Sequence, residues 1–330
     1  MSQTYQPPYT LNTRVLALVA EIGEKMGQLA ERHGQPVPPA LRRANRLKTI
    51  HASLAIENNS LTLDQVTSVL AGKRVLGPPK DIQEVRNAFT TYEAMETWKP
   101  WSSKDLLAAH GLLTRGLVDH PGAYRRKGVA IAQGDQLVHM APPADRVRGL
   151  MNDLLSWLKQ TDEHPLIASC VFHYELEFIH PFEDGNGRMG RLWQTLILSR
   201  WKPLLAWLPV ETVIRERQSA YYAALAASDK TGNSTIFIEF LLSALLQALE
   251  ELTSTDQVTD QVTDQVKALL KCLAKGPMTT QQCMKHLELS HRPTFRQNYL
   301  QPAIAARLVE PTLPDKPNSP QQKYRLVRHP

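Results

Sequence analysis

The sequence lacks the features that would anchor it in a membrane or cross-link it. It contains no run of about 18 apolar residues, the length that a membrane-spanning helix needs. Its first five residues, Met1 to Tyr5, are polar and provide no apolar segment of the secretory-signal type. The three cysteines, Cys170, Cys272 and Cys283, share no metal-ligand spacing and are too few for a disulfide framework. We therefore expect a globular cytoplasmic protein without a membrane partner.

Acidic residues are scarce at the C-terminal end of the chain. From Lys267 to Pro330 the sequence has six lysines and five arginines against three acidic residues, a net charge of +8. The whole chain carries +6, so the first 266 residues sum to −2. The basic character therefore belongs to residues 267–330, where it predicts contact with DNA. A protein–protein module is an equally open interpretation of the same segment.

Hydrophobic patterning predicts a mainly α protein with more than one domain. Apolar residues recur at helical spacing over most of the first 252 residues. The exception is residues 128–139, which alternate as a β-hairpin does, with Gly134 and Asp135 at the turn. The predicted parts are an N-terminal helical region (1–100), a core (101–252), a linker (253–266) and a small C-terminal unit (267–330).

The linker and the C-terminal unit have patterns of their own. The tetrapeptide Thr-Asp-Gln-Val occurs three times from Thr255 to Val266, and a four-residue period places its valines on one slowly drifting helical face. Such a helix would act as a spacer or associate with a second copy of itself, and both interpretations fit the sequence. Residues 267–330 predict three short helices and two strands, which is the arrangement of a winged-helix (α+β) domain.

The most informative segment is HPFEDGNGRMGR, residues 180–191. Gly185 and Gly187 lack a Cβ, so the backbone can turn tightly and approach a ligand. The apolar helical pattern from Met189 onward indicates that this turn opens a helix. The unpaired N–H groups and the positive dipole end of a helix N-terminus suit a phosphate group.

The charged residues of this segment suit chemistry on phosphates. Arg188 and Arg191 lie three apart, on one helical face, where two guanidinium groups can grip phosphate oxygens. Asp184 offers a hard oxygen ligand to Mg²⁺ or Mn²⁺. His180 has the side chain whose unperturbed pKa, about 6.5, suits a base at neutral pH. Each residue alone fits an ordinary loop-to-helix junction, but the combination does not.

Residues 180–191 resemble the signature of the Fic family, H-x-F-x-[D/E]-G-N-G-R-x-x-R, with every specified position present. The resemblance implies a Fic-type helical bundle that transfers AMP from ATP to a hydroxyl side chain of a protein target. It implies that His180 deprotonates the hydroxyl and that Asp184 holds the metal ion. The implied phosphate-binding residues are Gly185, Asn186 and Gly187 in the turn, Arg188 on the phosphates, and Arg191 on the γ-phosphate.

A second motif lies upstream, at residues 53–58, SLAIEN. It resembles the inhibitory pattern of the same family, [S/T]-x-x-x-E-[G/N], in which the glutamate pairs with the second arginine of the signature, here Arg191. A carboxylate on Arg191 would occupy the partner that a γ-phosphate uses, so ATP would bind unproductively. The resemblance thus implies an inhibitory role for Ser53, Glu57 and Asn58.

The resemblance extends to the hairpin and to two tyrosines. In the Fic family the hairpin is a flap that registers the target by main-chain pairing, which allows positioning with little sequence reading. One tyrosine lies against adenine in relatives; here Tyr222 is slightly favoured over Tyr221. The target-positioning residues of the flap are predicted to be Val129, Ala130, Ile131 and Leu137.

Several activities share these residues. The leading interpretation is a protein adenylyltransferase inhibited by Glu57, with ATP as substrate and an unidentified protein, the chain itself included, as target. A hydrolase that removes AMP and a nucleotide-sensing DNA-binding regulator stay open, as does a homodimer that holds the inhibitory helix. A Doc-like kinase is disfavoured because that subgroup has lysine where this chain has Gly187. Phosphocholine transfer would need a differently shaped base pocket.

Overall fold

Helices make up most of the structure, a computed structural model. It describes residues 5–33, 39–133, 136–274, 276–305, 308–313, 319 and 322–327. The chain divides into two units, Met1–Glu250 and Glu251–Pro330. Both small sheets are antiparallel. The order of helices and strands confirms the predicted mainly α class with a hairpin and a C-terminal α+β unit. The division of the first unit near residue 100 stays a prediction.

The first unit is a bundle of helices with one hairpin between its fifth and sixth helices. Two 3₁₀ segments, Met95–Thr97 and Pro203–Trp207, extend the ends of helices. The helices and strands are α1 Thr13–His33, α2 Pro39–Ile56, α3 Leu63–Leu70, α4 Pro79–Ala94, α5 Ser103–Leu113, β1 Ala130–Gln133, β2 Gln136–Met140, α6 Ala144–Gln160, α7 Pro165–Ile179, α8 Asn186–Trp201, α9 Val210–Glu216, α10 Gln218–Thr231 and α11 Thr235–Leu273, whose residues from Glu251 onward belong to the second unit.

The helices α7 and α8 form the centre of this unit. Every residue of α7 from Leu166 to Leu176 is buried, and so is every residue of α8 from Arg188 to Leu198. A helix that is buried all round is held by packing on every face. The indole of Trp193 also donates a hydrogen bond to the Pro100 carbonyl (2.8 Å). The loop between α7 and α8 is therefore fixed at both ends.

The hairpin predicted between residues 128 and 139 is confirmed as an antiparallel pair of strands. Ala130 lies opposite Met140 and Gln133 opposite Gln136, with a break in register between Ile131 and Ala132. The predicted turn residues, Gly134 and Asp135, lie outside the described residues. The hairpin offers backbone groups for pairing, as a sheet edge does.

The second unit has a small core of its own, to which Leu269, Cys283, Phe295 and Val309 contribute. After α11 the elements are β3 Met278–Thr279, α12 Thr280–His286, α13 Arg292–Phe295, α14 Gln301–Ala305, β4 Val309–Pro311 and β5 Lys323–Leu326. The sheet has the strand order β3-β5-β4, and β3 was not predicted. A π-helical turn, Arg296–Leu300, joins α13 to α14.

The predicted linker is helical. Residues 253–266 lie within α11, which runs without interruption from Thr235 to Leu273. None of the helices in the described ranges combines the length and apolarity needed to cross a bilayer.

Candidate functional site

His180 stands at the end of α7 in a backbone conformation that few residues adopt. It is the C-cap of the helix, with φ 48° and ψ 60°, in the left-handed region. That region costs a residue with a Cβ free energy and usually persists because the surrounding structure imposes it. Here the His180 N–H bonds to the Leu176 carbonyl (2.9 Å), and the His180 carbonyl accepts from Arg125 Nε (2.7 Å). The turn directs the chain out of α7 and into the signature loop.

The side chain of Asn186 closes that loop. Its Nδ2 donates to the Phe182 carbonyl and its Oδ1 accepts from the Phe182 N–H, both at 2.9 Å. The Phe182 ring is fully buried. Gly185, at φ 87°, precedes the first helical residue of α8, so the predicted helix-opening turn is confirmed. Asn186 thus holds the loop shape with its side chain, while its predicted phosphate contact stays a prediction.

Arg188 lies against carboxylates. Its Nη2 donates to Asp184 Oδ1 (2.7 Å) and its Nη1 to Glu84 Oε1 (3.1 Å), and its side chain is 4% exposed. Glu84 also accepts a hydrogen bond from Asn59 Nδ2 (2.8 Å), just beyond the inhibitory motif. The predicted phosphate contact of Arg188 stays a prediction; the observed pairs orient Asp184 and tie α4 to α8.

Asp184 is the candidate metal ligand. Burial raises the pKa of its carboxyl, but the Arg188 guanidinium and hydrogen bonds outweigh burial, so the pKa is lowered and the group is a carboxylate at neutral pH. Its side chain is 43% exposed, toward a cavity. Among the described residues no three His, Cys, Asp or Glu side chains cluster as a metal site. One carboxylate that meets nucleotide phosphates is a donor set that Mg²⁺ takes, so Asp184 fits this role.

The motif at residues 53–58, predicted to be inhibitory, contacts Arg191 directly. Arg191 Nη2 donates to Glu57 Oε1 (2.8 Å) and to the Ser53 carbonyl (3.0 Å), and Nε donates to Ser53 Oγ (3.0 Å). The Arg191 side chain is 1% exposed. Its Nη1 is buried without a hydrogen-bond partner in the described part of the chain. The guanidinium therefore has one donor nitrogen, Nη1, without a described partner, while its Nη2 is bonded to the Glu57 carboxylate.

Two residues make room for this pair. A Cβ on Gly187 would collide with Glu57 Oε1 and would lie 3.1 Å from Arg191 Nη1. Asn58, directly after Glu57, has φ 64°. Glycine and asparagine are the residues that enter this left-handed region most readily. The choice between Gly and Asn at the last position of the motif thus has a backbone reason.

A cavity of about 800 Å³ brings most of the predicted site together. Tyr221 is buried and donates to His173 Nε2 (3.0 Å), whose Nδ1 is held by Gln194, whereas Tyr222 is 38% exposed. Of the two tyrosines, Tyr222 therefore has the ring surface that an adenine could contact. The predicted contact of Tyr222 with adenine stays a prediction. The predicted residues that line the cavity are His180, Asp184, Gly185, Asn186, Gly187, Arg191, Tyr221, Tyr222, Glu57 and Asn58.

Three predicted groups lie elsewhere or remain without a described environment. Ser53 and Arg188 are buried and are not among the residues that line the cavity. Ala130, Ile131 and Leu137 have a described backbone in the hairpin, but their side chains lie outside the described part. Val129, just before β1, is partly buried.

His110 is a site residue that the sequence did not reveal. Its ring stacks on Phe182, with centroids 3.8 Å apart and planes 6° apart. The Gly122 N–H donates to Nδ1 (2.9 Å), so Nε2 carries the proton and donates to the Asp184 carbonyl (3.0 Å). His110 thus supports the loop from α5. A lone histidine in a helix of ordinary pattern gives no sequence signal for this role.

Arg125 is the second residue that was missed. It is 3% exposed and lies between α5 and the hairpin. Among the described residues its side chain donates to four backbone carbonyls, the His180 carbonyl among them. An arginine followed by Arg126 and Lys127 looks like part of an exposed basic run, which is why the sequence did not single it out.

The fold and the site define a helical protein in which a glycine turn opens the buried helix α8. The carboxylate of Glu57 pairs with Arg191 of that helix. Two family models match the chain: Fic/DOC family over residues 100–198 and Filamentation induced by cAMP protein Fic-like, C-terminal domain, over residues 264–327. A solved Fic family protein from Desulfovibrio desulfuricans is 61% identical, with 99% of each chain covered and a TM-score of 0.75. The chain belongs to the Fic family.

More distant relatives carry a functional name. A protein adenylyltransferase Fic from Aedes aegypti is 29% identical over 64% of this chain and 43% of its own length. One from Drosophila mojavensis is 29% identical over 70% and 46%. The chain thus spans less than half the length of these curated relatives. Fic-1 from C. elegans shares the fold, at 18% identity, 74% and 72% coverage and a TM-score of 0.59.

We predict that His110→Phe destabilises the first unit in a pH-dependent way. The ring stack is kept but two hydrogen bonds are lost, so the free energy of unfolding should fall by about 1–3 kcal/mol at pH 8. Burial lowers the pKa of His110 to about 4, against about 6.5 in the unfolded chain. The unfolded chain binds more protons between these values, so the contribution of His110 is complete above pH ~6.5 and is lost toward pH 4.

Urea denaturation followed by tryptophan fluorescence measures this, because all six tryptophans lie in the first unit. The difference between wild type and variant should shrink as the pH falls from 6.5 to 4. His173, whose pKa burial lowers to about 3, is present in both proteins and cancels. A difference that stays constant across this range would contradict the assignment.

Proposed function

We propose that this protein is a nucleotidyltransferase that moves AMP from ATP to a hydroxyl group of a protein, and that Glu57 inhibits it. The observation that carries the proposal is the contact of Glu57 with Arg191 (2.8 Å). Both residues line a cavity that His180 and Asp184 also line. A base, a metal-binding carboxylate, a glycine turn and a buried arginine are what transfer at a phosphate requires. The names of the curated relatives support the same activity.

In the proposed reaction His180 takes the proton of the target hydroxyl. The hydroxyl oxygen then forms a bond to the α-phosphorus of ATP, and the bond from that phosphorus to the bridging oxygen breaks. Pyrophosphate leaves with the bridging oxygen, and the target keeps AMP as a phosphodiester. Positioning and charge stabilisation do most of the work in such transfers, because the protein forms no covalent bond.

The residues of the turn would hold the phosphates. The first N–H groups of α8 have no partner within the helix and lie at the positive end of its dipole. Asp184 would hold a Mg²⁺ or Mn²⁺ ion, which neutralises phosphate charge when bound. Arg191 would meet the γ-phosphate through its donors. Tyr222 would lie against the adenine.

Inhibition follows from competition for one guanidinium. Glu57 and a γ-phosphate are both anions, and both require the donors of Arg191. A hydrogen bond between charged groups contributes about 1.5–3 kcal/mol. Displacing Glu57 would cost free energy of that order, so ATP binds more readily with its phosphates elsewhere than in the productive pose.

We predict that Glu57→Gly raises AMP transfer roughly ten- to a hundredfold, because this range corresponds to 1.5–3 kcal/mol. The measurement is incorporation of label from α-labelled ATP with Mg²⁺ into the chain itself and into proteins of a cell lysate. Glu24→Gln is the control: it removes a carboxylate from an exposed position of α1 and should not change the rate. Glu57→Gly/Arg191→Ala should lose the gain. Equal rates in wild type and Glu57→Gly would refute inhibition.

We predict that His180→Ala in the Glu57→Gly background abolishes transfer and leaves the Kd for ATP nearly unchanged. The imidazole takes a proton from the acceptor and is not needed to hold the phosphates. Transfer is measured with α-labelled ATP and affinity by calorimetric titration. Loss of ATP binding in this variant would make His180 a residue that shapes the pocket, not the base.

Removal of AMP from a modified protein would use the same residues and is the alternative activity. In that case Glu57 would itself be the base that activates water. The two activities respond to one change in opposite directions. Glu57→Gly should raise AMP transfer under our proposal, whereas it should abolish AMP release from a labelled protein if removal is the main activity.

The second unit supports an additional function in DNA binding. The turn that carries Phe295 and Leu300 into the core exposes Arg292, Arg296, Gln297 and Asn298 on its other side. Arginine, glutamine and asparagine side chains all donate hydrogen bonds to phosphate oxygens of a duplex, and the two arginines suit two phosphate contacts. The net charge of +8 over residues 267–330 favours the phosphate backbone.

We predict that the full chain binds duplex DNA with a strong dependence on salt. Arg292→Ala/Arg296→Ala should reduce the slope of log K against log[salt] by about 2, since each phosphate contact contributes about 0.9. Fluorescence anisotropy with a labelled duplex of about 25 base pairs, a length chosen to exceed two helical turns, measures the slope. Lys104→Ala/Lys159→Ala removes the same charge from exposed sites of the first unit and serves as control. Equal slopes in both variants would exclude a site on this turn.

A further inference from the structure

The Arg125 side chain joins the two ends of the hairpin to the C-terminal end of α7. Lys127 lies three residues before β1, and Pro142 two residues after the end of β2. Ile179 is the last residue of α7, and His180 follows it. The carbonyls that accept from the guanidinium are those of Lys127 (2.9 Å), Pro142 (2.5 Å), His180 (2.7 Å) and Ile179 (3.3 Å).

The backbone strengthens this junction. The Arg125 N–H donates to the Pro181 carbonyl (2.9 Å), so three consecutive carbonyls, residues 179–181, bond to one residue. Carbonyls at a helix C-terminus have no partner within the helix and carry the negative end of its dipole. A buried guanidinium satisfies them and gains from their charge. The left-handed conformation of His180 (φ 48°) is held from this side.

The chemistry of arginine is required for this arrangement. The guanidinium presents five donors in one rigid plane and can reach acceptors on both sides at once. Lysine places its donors on a single flexible nitrogen, which cannot bond to both the hairpin ends and the α7 end with the same geometry. Conversion of Arg125 to lysine therefore keeps the charge and removes the junction.

We propose that the target segment docks on the hairpin and that Arg125 is a positioning residue, which fixes the distance between this hairpin and the proposed base, His180. The proposal rests on the function proposed above. A target segment that pairs with the hairpin takes its position from the hairpin backbone. Its hydroxyl reaches His180 only if the hairpin and the end of α7 move as one body. A misplacement of about 1 Å can lower a rate about 100-fold, so the junction has a large effect on transfer.

The experiment compares Arg125→Lys with Arg126→Lys in the full-length Glu57→Gly protein. Arg126 is the adjacent residue and is exposed, which makes it a matched control. The first measurement is hydrogen exchange by mass spectrometry. Arg125→Lys should speed exchange in two separate segments, residues 127–142 and residues 179–186, and Arg126→Lys in neither.

The second measurement is AMP transfer to an acceptor protein, the His180→Ala chain. Arg125→Lys should lower the rate at saturating ATP about 100-fold, with the half-saturating ATP concentration and the ATP-binding stoichiometry unchanged. Those two constants distinguish mispositioning from loss of folded protein. Faster exchange in only one of the two segments, or a change in ATP affinity that accounts for the loss, would overturn the proposal. If Glu57→Gly itself transfers no AMP, the proposed function fails, and hydrogen exchange alone decides whether the junction exists.

Discussion

The buried guanidinium of Arg191 is the interaction on which the site depends. It lies on a helix with no exposed face, and an unpaired charge there would cost several kcal/mol. Ser53 and Glu57 provide its acceptors, from a helix more than 130 residues earlier in the chain. The N-terminal helices therefore complete the electrostatics of the core. Any nucleotide that uses Arg191 must replace acceptors that the folded protein already supplies.

Two residues of the signature hold the geometry of its loop. Asn186 closes the loop on Phe182, and Arg188 holds Asp184 against Glu84. His110 and Arg125 support the same short loop from outside the signature. Each of these contacts is made to a backbone group or a carboxylate that cannot move far. A site that is arranged before the substrate arrives needs little reorganisation when charge develops in the transition state.

The sequence predicted the parts of this structure that leave a local pattern. The helices, the hairpin and the turn at Gly185 follow from periodicity and glycine placement, and the pairing of Glu57 with Arg191 was implied by the resemblance of two motifs to the Fic family. Arg125 and His110 were missed because their partners are backbone carbonyls and amides, which every residue possesses. Strand β3 was missed because two residues, Met278 and Thr279, are too short to alternate. The pair of Arg188 with Glu84 was missed because Glu84 lies over 100 residues away in the sequence.

Release of the inhibition that we propose would require α2 to leave Arg191, and the packing of α2 favours that step. In the described part of the chain, buried polar atoms without a hydrogen-bond partner concentrate where α2 meets α9: Arg42 Nε, Asn45 Nδ2, Arg46 Nε and Nη1, Glu211 Oε2 and Thr212 Oγ1. Each such atom costs about 1–3 kcal/mol unless water reaches it. The docked position of α2 is therefore less stable than its buried area suggests. Under the proposed function, linkage makes the effect reciprocal: a change that loosens α2 would strengthen productive ATP binding, and productive ATP binding would loosen α2 by the same factor.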